Sequence, residues 1–165
     1  MSANASAVRR SVNADAKLEL KLWLRLLACT TIVERDLRSR LRQRFGSTLP
    51  RFDLLSQLDR APEGLSMGEL SSRLMVSNGN VTGLTERLVR EGLVKRTASP
   101  ADRRTSRVTL TAAGKRAFDA MTPDHEAWID ELLSGLSRDE QALLHRLLGK
   151  LKSTMPAGQN GTVRL

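Results

Sequence analysis

Amide and hydroxyl side chains that can read base edges occur together between Ser77 and Gly83. Asn78, Asn80 and Thr82 lie on the outward face of a predicted helix, and Arg87 follows about one turn later. Asparagine can form two hydrogen bonds with one adenine, and glycine lets a backbone approach another molecule closely. This composition favours contact with nucleic acid over the alternative, a flexible solvated helix.

A second set of candidate residues lies in a basic loop further along the chain. Asp102, Arg103, Arg104 and Thr105 lie in a predicted hairpin loop, and three arginines, Arg103, Arg104 and Arg107, are expected at its tip. Guanidinium groups on a protruding loop can enter a minor groove, where the electrostatic potential is most negative. A solvated charged loop is the alternative, but the neighbouring amide-rich helix favours contact with DNA.

Short elements with clear boundaries position both sets. Ser66 and Glu69 form a predicted capping box, Ser77 caps the next helix, and Gly92 ends it. The order helix, turn, helix, hairpin predicts a winged helix-turn-helix, which places its second helix in a DNA major groove. The predicted elements are the helices Ser66–Met75 and Ser77–Glu91, the strand Leu93–Thr97, the loop Ser99–Arg107 and the strand Val108–Leu110.

The predicted wing carries a specific resemblance. Asp102-Arg103-Arg104 followed by Val108-Thr109-Leu110-Thr111 resembles the wing signature of the MarR family of bacterial transcription regulators, and the similarity runs from about Lys17 to Met155. The resemblance implies that Arg103 or Arg104 reaches the minor groove and that Asp102 supports the wing. It also implies a homodimer on a pseudo-palindromic double-stranded operator. Many relatives carry a base-reading arginine at the position of Gly83, so their operator sequence is not carried over.

The predicted fold is mainly α-helical with a small antiparallel β-wing, in which helices at both ends flank the winged core and form a dimerisation region. The long first helix is apolar on two faces in its first half, and a capping box, Ser137 to Glu140, opens a leucine-rich last helix. Such faces need a partner, and we expect that partner to be a second subunit. The predicted divisions are a disordered tail 1–15, a dimerisation helix 16–46, the DNA-binding region 47–111, the C-terminal dimerisation helices 112–155 and a loose tail 156–165.

The helix that follows the wing contains a proline. Thr111 is predicted to cap this helix, and Pro123 to kink or restart it, with Thr122 as a possible local cap. Its inner face is predicted to carry Phe118, Met121, Ile129 and Leu132.

A ligand site is implied by the resemblance, between the first helices and the DNA-binding core. Arginines at the edge of an apolar floor suit an aromatic carboxylate or its coenzyme A thioester. Segments 22–30 and 48–55 also resemble the MarR subgroup that controls the breakdown of aromatic acids and hydroxycinnamates. The basic run Arg35–Arg44 is open to three interpretations: solvent, DNA or ligand. The predicted ligand-site residues are Leu24, Ala28, Thr31, Arg35, Arg38, Arg51, Phe52 and Leu55.

Other classes of function find less support. A net charge of +9 suits phosphate contacts, and neither a membrane span nor a signal peptide is evident, so we expect a cytoplasmic protein. His125 and His145 are predicted surface residues without metal-ligand spacing, and we expect neither an enzyme nor a cofactor.

The residues and the resemblance together predict a dimeric DNA-binding transcription regulator, a repressor that a small aromatic acid or aromatic acyl-CoA releases from its operator. Two alternatives to this ligand-responsive repressor remain. One is a constitutive winged-helix nucleic-acid-binding protein without a ligand. The other is a redox sensor based on Cys29, the single cysteine. Cys29 is predicted to be buried in an apolar stripe, where thiols are unreactive. The chain also has no tyrosine to match the hydroxyl partners of the peroxide-sensing MarR branch.

Overall fold

The computed structural model of the chain describes residues 17–98 and 106–155, which form a mainly helical fold with one small antiparallel sheet. This architecture confirms the predicted fold class. None of the helices in these two ranges is long and apolar enough to cross a membrane. The elements are α1 (Leu18–Phe45), α2 (Leu49–Asp59), β1 (Leu65–Ser66), α3 (Met67–Leu74), α4 (Asn78–Arg90), β2 (Val94–Ala98), β3 (Ser106–Leu110), α5 (Ala112–Leu132) and α6 (Arg138–Thr154).

The chain divides into two compact units after Ser39. The first unit contains most of α1, and its large apolar side chains are mainly exposed within the single chain. Cys29 is exposed as well, so its predicted burial is wrong for the single chain. Helical periodicity placed it in a stripe without showing whether anything covers that stripe. The exposed apolar residues of α1 are Leu18, Leu20, Leu22, Trp23, Leu24, Leu27 and Ile32.

The core of the second unit is built around α2. This helix begins with Pro50 in its first turn, where the missing N–H costs nothing. It contacts α3, α4, α5 and β3, and its buried side chains include Phe52, Leu55 and Leu58. Leu54 is fully buried too. With α2 buried on so many sides, the helices packed on it have a rigid base.

The sheet has the strand order β1-β3-β2, with both pairs antiparallel. Strand β1 was not predicted, because two residues give no alternating pattern to recognise. Gly64 precedes it with φ +78°, and a Cβ at this position would lie 2.6 Å from Thr109 Cγ2 and 2.7 Å from the Val108 carbonyl oxygen. The close approach of Gly64 to β3 joins the wing to the segment before α3.

Helix α5 is continuous from Ala112 to Leu132 with Pro123 inside it, so the predicted restart at this proline is wrong. Thr111 caps the helix as predicted, by accepting a hydrogen bond from the Gly114 amide at 3.0 Å. The Thr122 hydroxyl does not cap; it donates to the Phe118 carbonyl oxygen at 3.0 Å. Tertiary contacts on both sides of Pro123 offset the missing hydrogen bond: Phe118 packs on Phe52 of α2 before it, and Asp124 and Glu131 pair with α1 after it.

The contacts that α5 makes after Pro123 involve the end of α1. Arg40 pairs with Glu131 at 2.6 Å and Arg44 with Asp124 at 2.7 Å. The rings of Phe45 and Trp128 pack with centroids 6.3 Å apart. Two arginines of the basic run therefore pair with carboxylates of α5, an arrangement that was not among the interpretations considered from sequence.

The predicted capping box of the last helix is confirmed. The Glu140 amide donates to the Ser137 hydroxyl at 3.3 Å, and the Ser137 amide donates to the Glu140 carboxylate at 2.8 Å. The bond from the Ser137 amide, with a second from the Ser137 hydroxyl at 2.9 Å, holds the pKa of Glu140 below its ordinary value. The leucines that follow are exposed within the single chain, namely Leu143, Leu144, Leu147 and Leu148.

Candidate nucleic-acid interface

The first helix of the helix-turn-helix, α3, is fixed at both ends. The Ser66 amide donates to the Glu69 carboxylate at 2.7 Å, and the Glu69 amide donates to the Ser66 hydroxyl at 3.2 Å. Hydrogen bonds from Ser66 hold the pKa of Glu69 below its ordinary value, with smaller help from Arg107 and Arg73. Leu70 is fully buried and anchors the helix to the core. The predicted capping box is therefore confirmed.

The turn between the two helices depends on a left-handed residue. Met75 has φ +54°, a conformation in which side chains other than glycine are uncommon. The Val76 amide donates to the Ser71 carbonyl oxygen at 3.3 Å, and the Ser71 hydroxyl donates back to the Val76 carbonyl oxygen at 2.6 Å. These two bonds replace those that the end of α3 leaves open, so the turn is tight enough to start α4 directly.

Helix α4 begins and ends as predicted. The Ser77 hydroxyl accepts a hydrogen bond from the Asn80 amide at 3.4 Å. At the other end the Leu93 amide donates to Leu88 and the Gly92 amide to Val89, with Gly92 at φ +71°. This pair of bonds is a Schellman motif.

The inward face of α4 carries three fully buried residues. Val81 and Leu88 are fully buried, whereas Leu84 is only half-buried. Thr85 is fully buried between them, and its hydroxyl finds no hydrogen-bond partner among the described residues. Residue type alone does not predict the burial of Thr85, because threonine is common on both faces of helices.

The outward face of α4 presents most of the predicted reading residues together. Asn78, Gly79 and Asn80 are exposed, and a Cβ added at Gly79 or Gly83 would meet nothing within 4 Å. The Thr82 hydroxyl donates to the Asn78 carbonyl oxygen at 2.8 Å, which leaves its lone pairs open for an incoming donor. The outward face of α4 is therefore polar, and no other part of the described chain crowds it at Gly79 or Gly83.

Exposed basic side chains lie on α4 and on strand β2, which contacts α4. Arg87 is exposed, and its Nε donates to the Gly83 carbonyl oxygen at 3.3 Å. Arg90, Lys95 and Arg96 are exposed as well, the last two on strand β2. These three residues were not predicted to contact DNA. A single cation in a strand or at a helix end does not indicate DNA binding by itself, because only the fold shows that it lies near α4. Exposed cations of this kind suit sequence-independent contacts with phosphate.

The wing is described only at its base. Asp102, Arg103, Arg104 and Thr105 lie outside the described residues, so their predicted roles stay predictions. Arg107 was expected at the loop tip, and that expectation is wrong. It lies in β3, where its guanidinium donates to the carbonyl oxygens of Glu63 at 3.0 Å and Gly64 at 2.6 Å. Arg107 therefore ties the base of the wing to the segment before α3.

The predicted ligand-site residues lie in two different settings. Leu24, Ala28, Thr31, Arg35 and Arg38 are exposed on α1, and Arg38 pairs with Glu34 at 2.7 Å. In the second unit, Phe52 and Leu55 are buried in the core. Arg51 forms a bidentate ion pair with Glu91, with Nη1 2.7 Å from Oε1. Their role in ligand binding stays a prediction.

The two histidines differ in their surroundings. His145 is exposed as predicted, whereas His125 is half-buried and stacks on Phe52, so its predicted surface position is wrong. The predicted kink or restart at Pro123 left the direction of the helix after it undetermined, so the face that carries His125 could not be predicted from the sequence. Within residues 17–98 and 106–155 there is no group of three or more His, Cys, Asp or Glu side chains able to hold a metal ion.

Comparisons with known proteins agree with this architecture. Residues 45–105 match the model of the MarR family. The chain is 35% identical over 141 residues to the transcriptional activatory protein BadR of Rhodopseudomonas palustris, which covers 82% of this chain and 80% of that protein. A MarR family regulator from Silicibacter pomeroyi is 33% identical with a TM-score of 0.72, covering 86% of this chain and 98% of its own. A mutant MarR from Escherichia coli, solved in complex with operator DNA, is 28% identical with a TM-score of 0.71, covering 79% of this chain and 93% of its own.

Proposed function

The chain belongs to the MarR family of transcription regulators, and we propose that it acts by binding a pseudo-palindromic operator in double-stranded DNA as a homodimer. It is a regulator and not an enzyme. The observation that carries the proposal is the outward face of α4. Asn78 and Asn80 stand exposed there while Val81 and Leu88 bury the opposite face. A helix fixed on one side and polar and uncrowded on the other suits a major groove.

The base of the wing supports a second contact. Strands β2 and β3 pair from Val94↔Leu110 to Ala98↔Ser106, so they remain paired up to the residues that flank the loop 99–105. Arg103 and Arg104 would then reach the minor groove on the flank of the major-groove contact, with Asp102 and Thr105 beside them. Arg87, Lys95 and Arg96 would contact phosphates.

A dimer follows from the exposed apolar faces. Leucines of α1 and α6, with Trp23, would leave a large apolar surface in water if the chain were monomeric. Soluble monomers rarely expose such surfaces. Pairing these faces between two copies buries them, and two-fold symmetry then sets the recognition helices about one turn of DNA apart, roughly 10 bp centre to centre.

Sequencing the DNA fragments that the protein retains from its own genome tests this proposal and yields the operator. On that operator, Arg104→Ala and Asn80→Ala should each weaken binding by about 1–3 kcal/mol, the scale of a specific contact. Arg116→Ala removes an exposed cation from α5 and serves as the control. Retention of random fragments, or unchanged affinity in both folded variants, would contradict sequence-specific reading through α4 and the wing.

We further propose that a small aromatic carboxylate or its coenzyme A thioester releases the protein from the operator. Leu24 and Ala28 on α1 form an apolar surface, and Arg35 and Arg38 follow on the same side of the helix because they are spaced by three, four or seven residues. An aromatic acyl group suits the first part and a carboxylate or phosphates suit the second.

Repression is the proposed direction of regulation. A dimer bound over a promoter excludes polymerase, and ligand release restores transcription. A reporter placed behind the recovered operator should therefore gain expression when the protein is removed from the cell. A loss of expression would mean activation instead, the activity for which the Rhodopseudomonas relative is named.

A further inference from the structure

We propose that the ion pair between Arg51 and Glu91 sets the orientation in which α4 meets DNA. Nη1 of Arg51 lies 2.7 Å from Oε1 of Glu91, and Nη2 donates to Oε2 of the same carboxylate. A bidentate pair of this kind fixes direction as well as distance, because two parallel hydrogen bonds align two planar groups. The inference rests on the proposed function, since it concerns the helix that reads the operator.

Arg51 projects from a rigid element. It lies in the first turn of α2, beside the buried residues Leu49 and Phe52. Its side chain is 27% exposed, so the pair is partly shielded from water. Within the described part of the chain, Arg51 Nε has no hydrogen-bond partner. The guanidinium therefore depends on Glu91 to compensate its charge.

Glu91 stands where a carboxylate does not help its own helix. It is the residue at which α4 ends, and the carbonyl end of a helix dipole repels negative charge. Arg87 and Arg90, in the last turn, are the residue type that favours this end. Helix stability therefore does not explain Glu91, whereas pairing with Arg51 does.

The ion pair lies at the C-terminal end of α4, whereas the residues proposed to read bases lie at its N-terminal end. Helix α4 has 13 residues and is about 20 Å long, with Asn78 and Asn80 at the end remote from Glu91. A single apolar stripe, formed by Val81, Thr85 and Leu88, holds it against the core. A tilt of about 5° would move the far end of a helix of this length by about 1.5 Å. Hydrogen bonds to base edges do not survive such a shift, whereas flexible contacts to phosphate do.

Arg51 and Glu91 are thus positioning residues, and they should affect discrimination between sequences more than affinity for DNA in general. The test uses the full chain and two duplexes: one from the retained genomic fragments, and one of equal composition in scrambled order. Arg51→Gln and Glu91→Gln should each lower affinity for the first duplex about tenfold, with little change for the second. The charge swap Arg51→Glu with Glu91→Arg should restore most of the loss.

Lys115→Gln is the matched control. It breaks the ion pair with Asp59, which links α5 to α2, and the ion pair with Asp119 within α5, and neither pair involves α4. It should leave the ratio of the two affinities unchanged. Equal losses on both duplexes, unchanged affinity for the operator duplex, or a swap that restores nothing would overturn the inference.

A second readout needs no DNA. Hydrogen exchange at the amides of Gly92 and Leu93, which close the end of α4, should be faster in both single variants and slower again in the swap. If the wild type retains no genomic fragment, the proposed function fails while this measurement still decides whether the pair holds the helix end. Unchanged exchange in both single variants would overturn that positioning role.

Discussion

The imidazole of His125 lies against the ring of Phe52, with the ring centroids 4.1 Å apart and the planes inclined by 21°. Phe52 in turn packs on Phe118, with centroids 5.3 Å apart. The stack joins α2 to α5 in the core of the second unit. Burial lowers the pKa of His125 below its ordinary value of 6.5, while the neighbouring Glu126 acts weakly in the opposite sense.

The stability of the protein should therefore fall in mild acid. Below pH 6.5 the unfolded chain binds a proton at His125 that the folded chain still excludes. The contribution of this residue is thus complete above that pH and is lost as the pH falls from 6.5 towards the folded-state pKa. Urea unfolding measured across this range should show the decline. His125→Phe preserves a ring on Phe52 and should flatten the profile, whereas His145→Phe, at an exposed position, should not. An equally steep profile in His125→Phe would assign the decline to other groups.

Thr85→Val should stabilise the protein. The Thr85 hydroxyl is buried inside the unit without a partner among the described residues, and valine has nearly the same shape without the polar atom. Removing an unsatisfied buried hydroxyl is worth about 1 kcal/mol, which corresponds to a rise in Tm of about 2–4 °C for a chain of this size. Thermal unfolding monitored by circular dichroism measures the change. Thr82→Val, on the outward face, is the control, and an equal gain there would show that helix propensity and not burial is responsible.

The features that could be predicted well from the sequence are those determined by residues close to one another in the chain. Each predicted cap at Ser66, Ser77, Thr111 and Ser137 is present, because a hydroxyl and an amide three residues later suffice to form it. Pro123 shows the limit of such local signals. Its ring breaks an isolated helix, yet α5 continues through it. Phe118 packs on Phe52 of α2 before the proline, and Asp124 and Glu131 pair with the end of α1 after it.

The candidate site was predictable on α4 but not around it. Asn78 and Asn80 could be predicted as residues that contact bases, because they are amide side chains on the same outward face of one predicted helix. Arg51 and Glu91 are 40 residues apart, and no local pattern pairs them. The same is true of Gly114, where a Cβ would lie 1.9 Å from the Leu93 carbonyl oxygen and would force the backbones apart. Contacts of this kind depend on how the elements pack, and packing is not encoded in any short segment.

The last helix should be needed for dimerisation. Leu147 is 52% exposed in the single chain, in a row with Leu143, Leu144 and Leu148. Leu147→Asp would place an unpaired carboxylate in the proposed apolar contact, which costs several kcal/mol if it stays buried. Sedimentation equilibrium should then show a shift from dimer to monomer and a loss of operator affinity. Ala142→Asp introduces the same charge on the opposite face of α6 and should leave the dimer intact. Wild-type protein that sediments as a monomer at micromolar concentration with full DNA affinity would contradict the dimer.

The ligand proposal gives the prediction that an experiment can refute most easily. Benzoate-type acids, hydroxycinnamates or their coenzyme A thioesters should release the protein from its operator. By linkage, such a compound binds the DNA-free form more tightly, and a hundredfold loss of operator affinity requires a difference of about 2.7 kcal/mol. Titrating the protein–operator complex with each compound measures this difference directly. An unrelated metabolite that shifts the complex, when none of these compounds does so at millimolar concentration, would refute the ligand class.

Arg35 and Arg38 should determine the potency of such a ligand. The pair between Arg38 and Glu34 has both side chains about half exposed, so it is a weak competitor for an incoming anion. Arg35→Ala with Arg38→Ala should therefore raise the ligand concentration needed for release, and more for a thioester than for a free acid, because a thioester brings phosphates to the arginines. Arg25→Ala removes an exposed cation from another face of α1 and should leave the potency as it was. If the double variant responds to the thioester like the wild type, the arginine assignment falls while the ligand class stands, since release itself was measured independently.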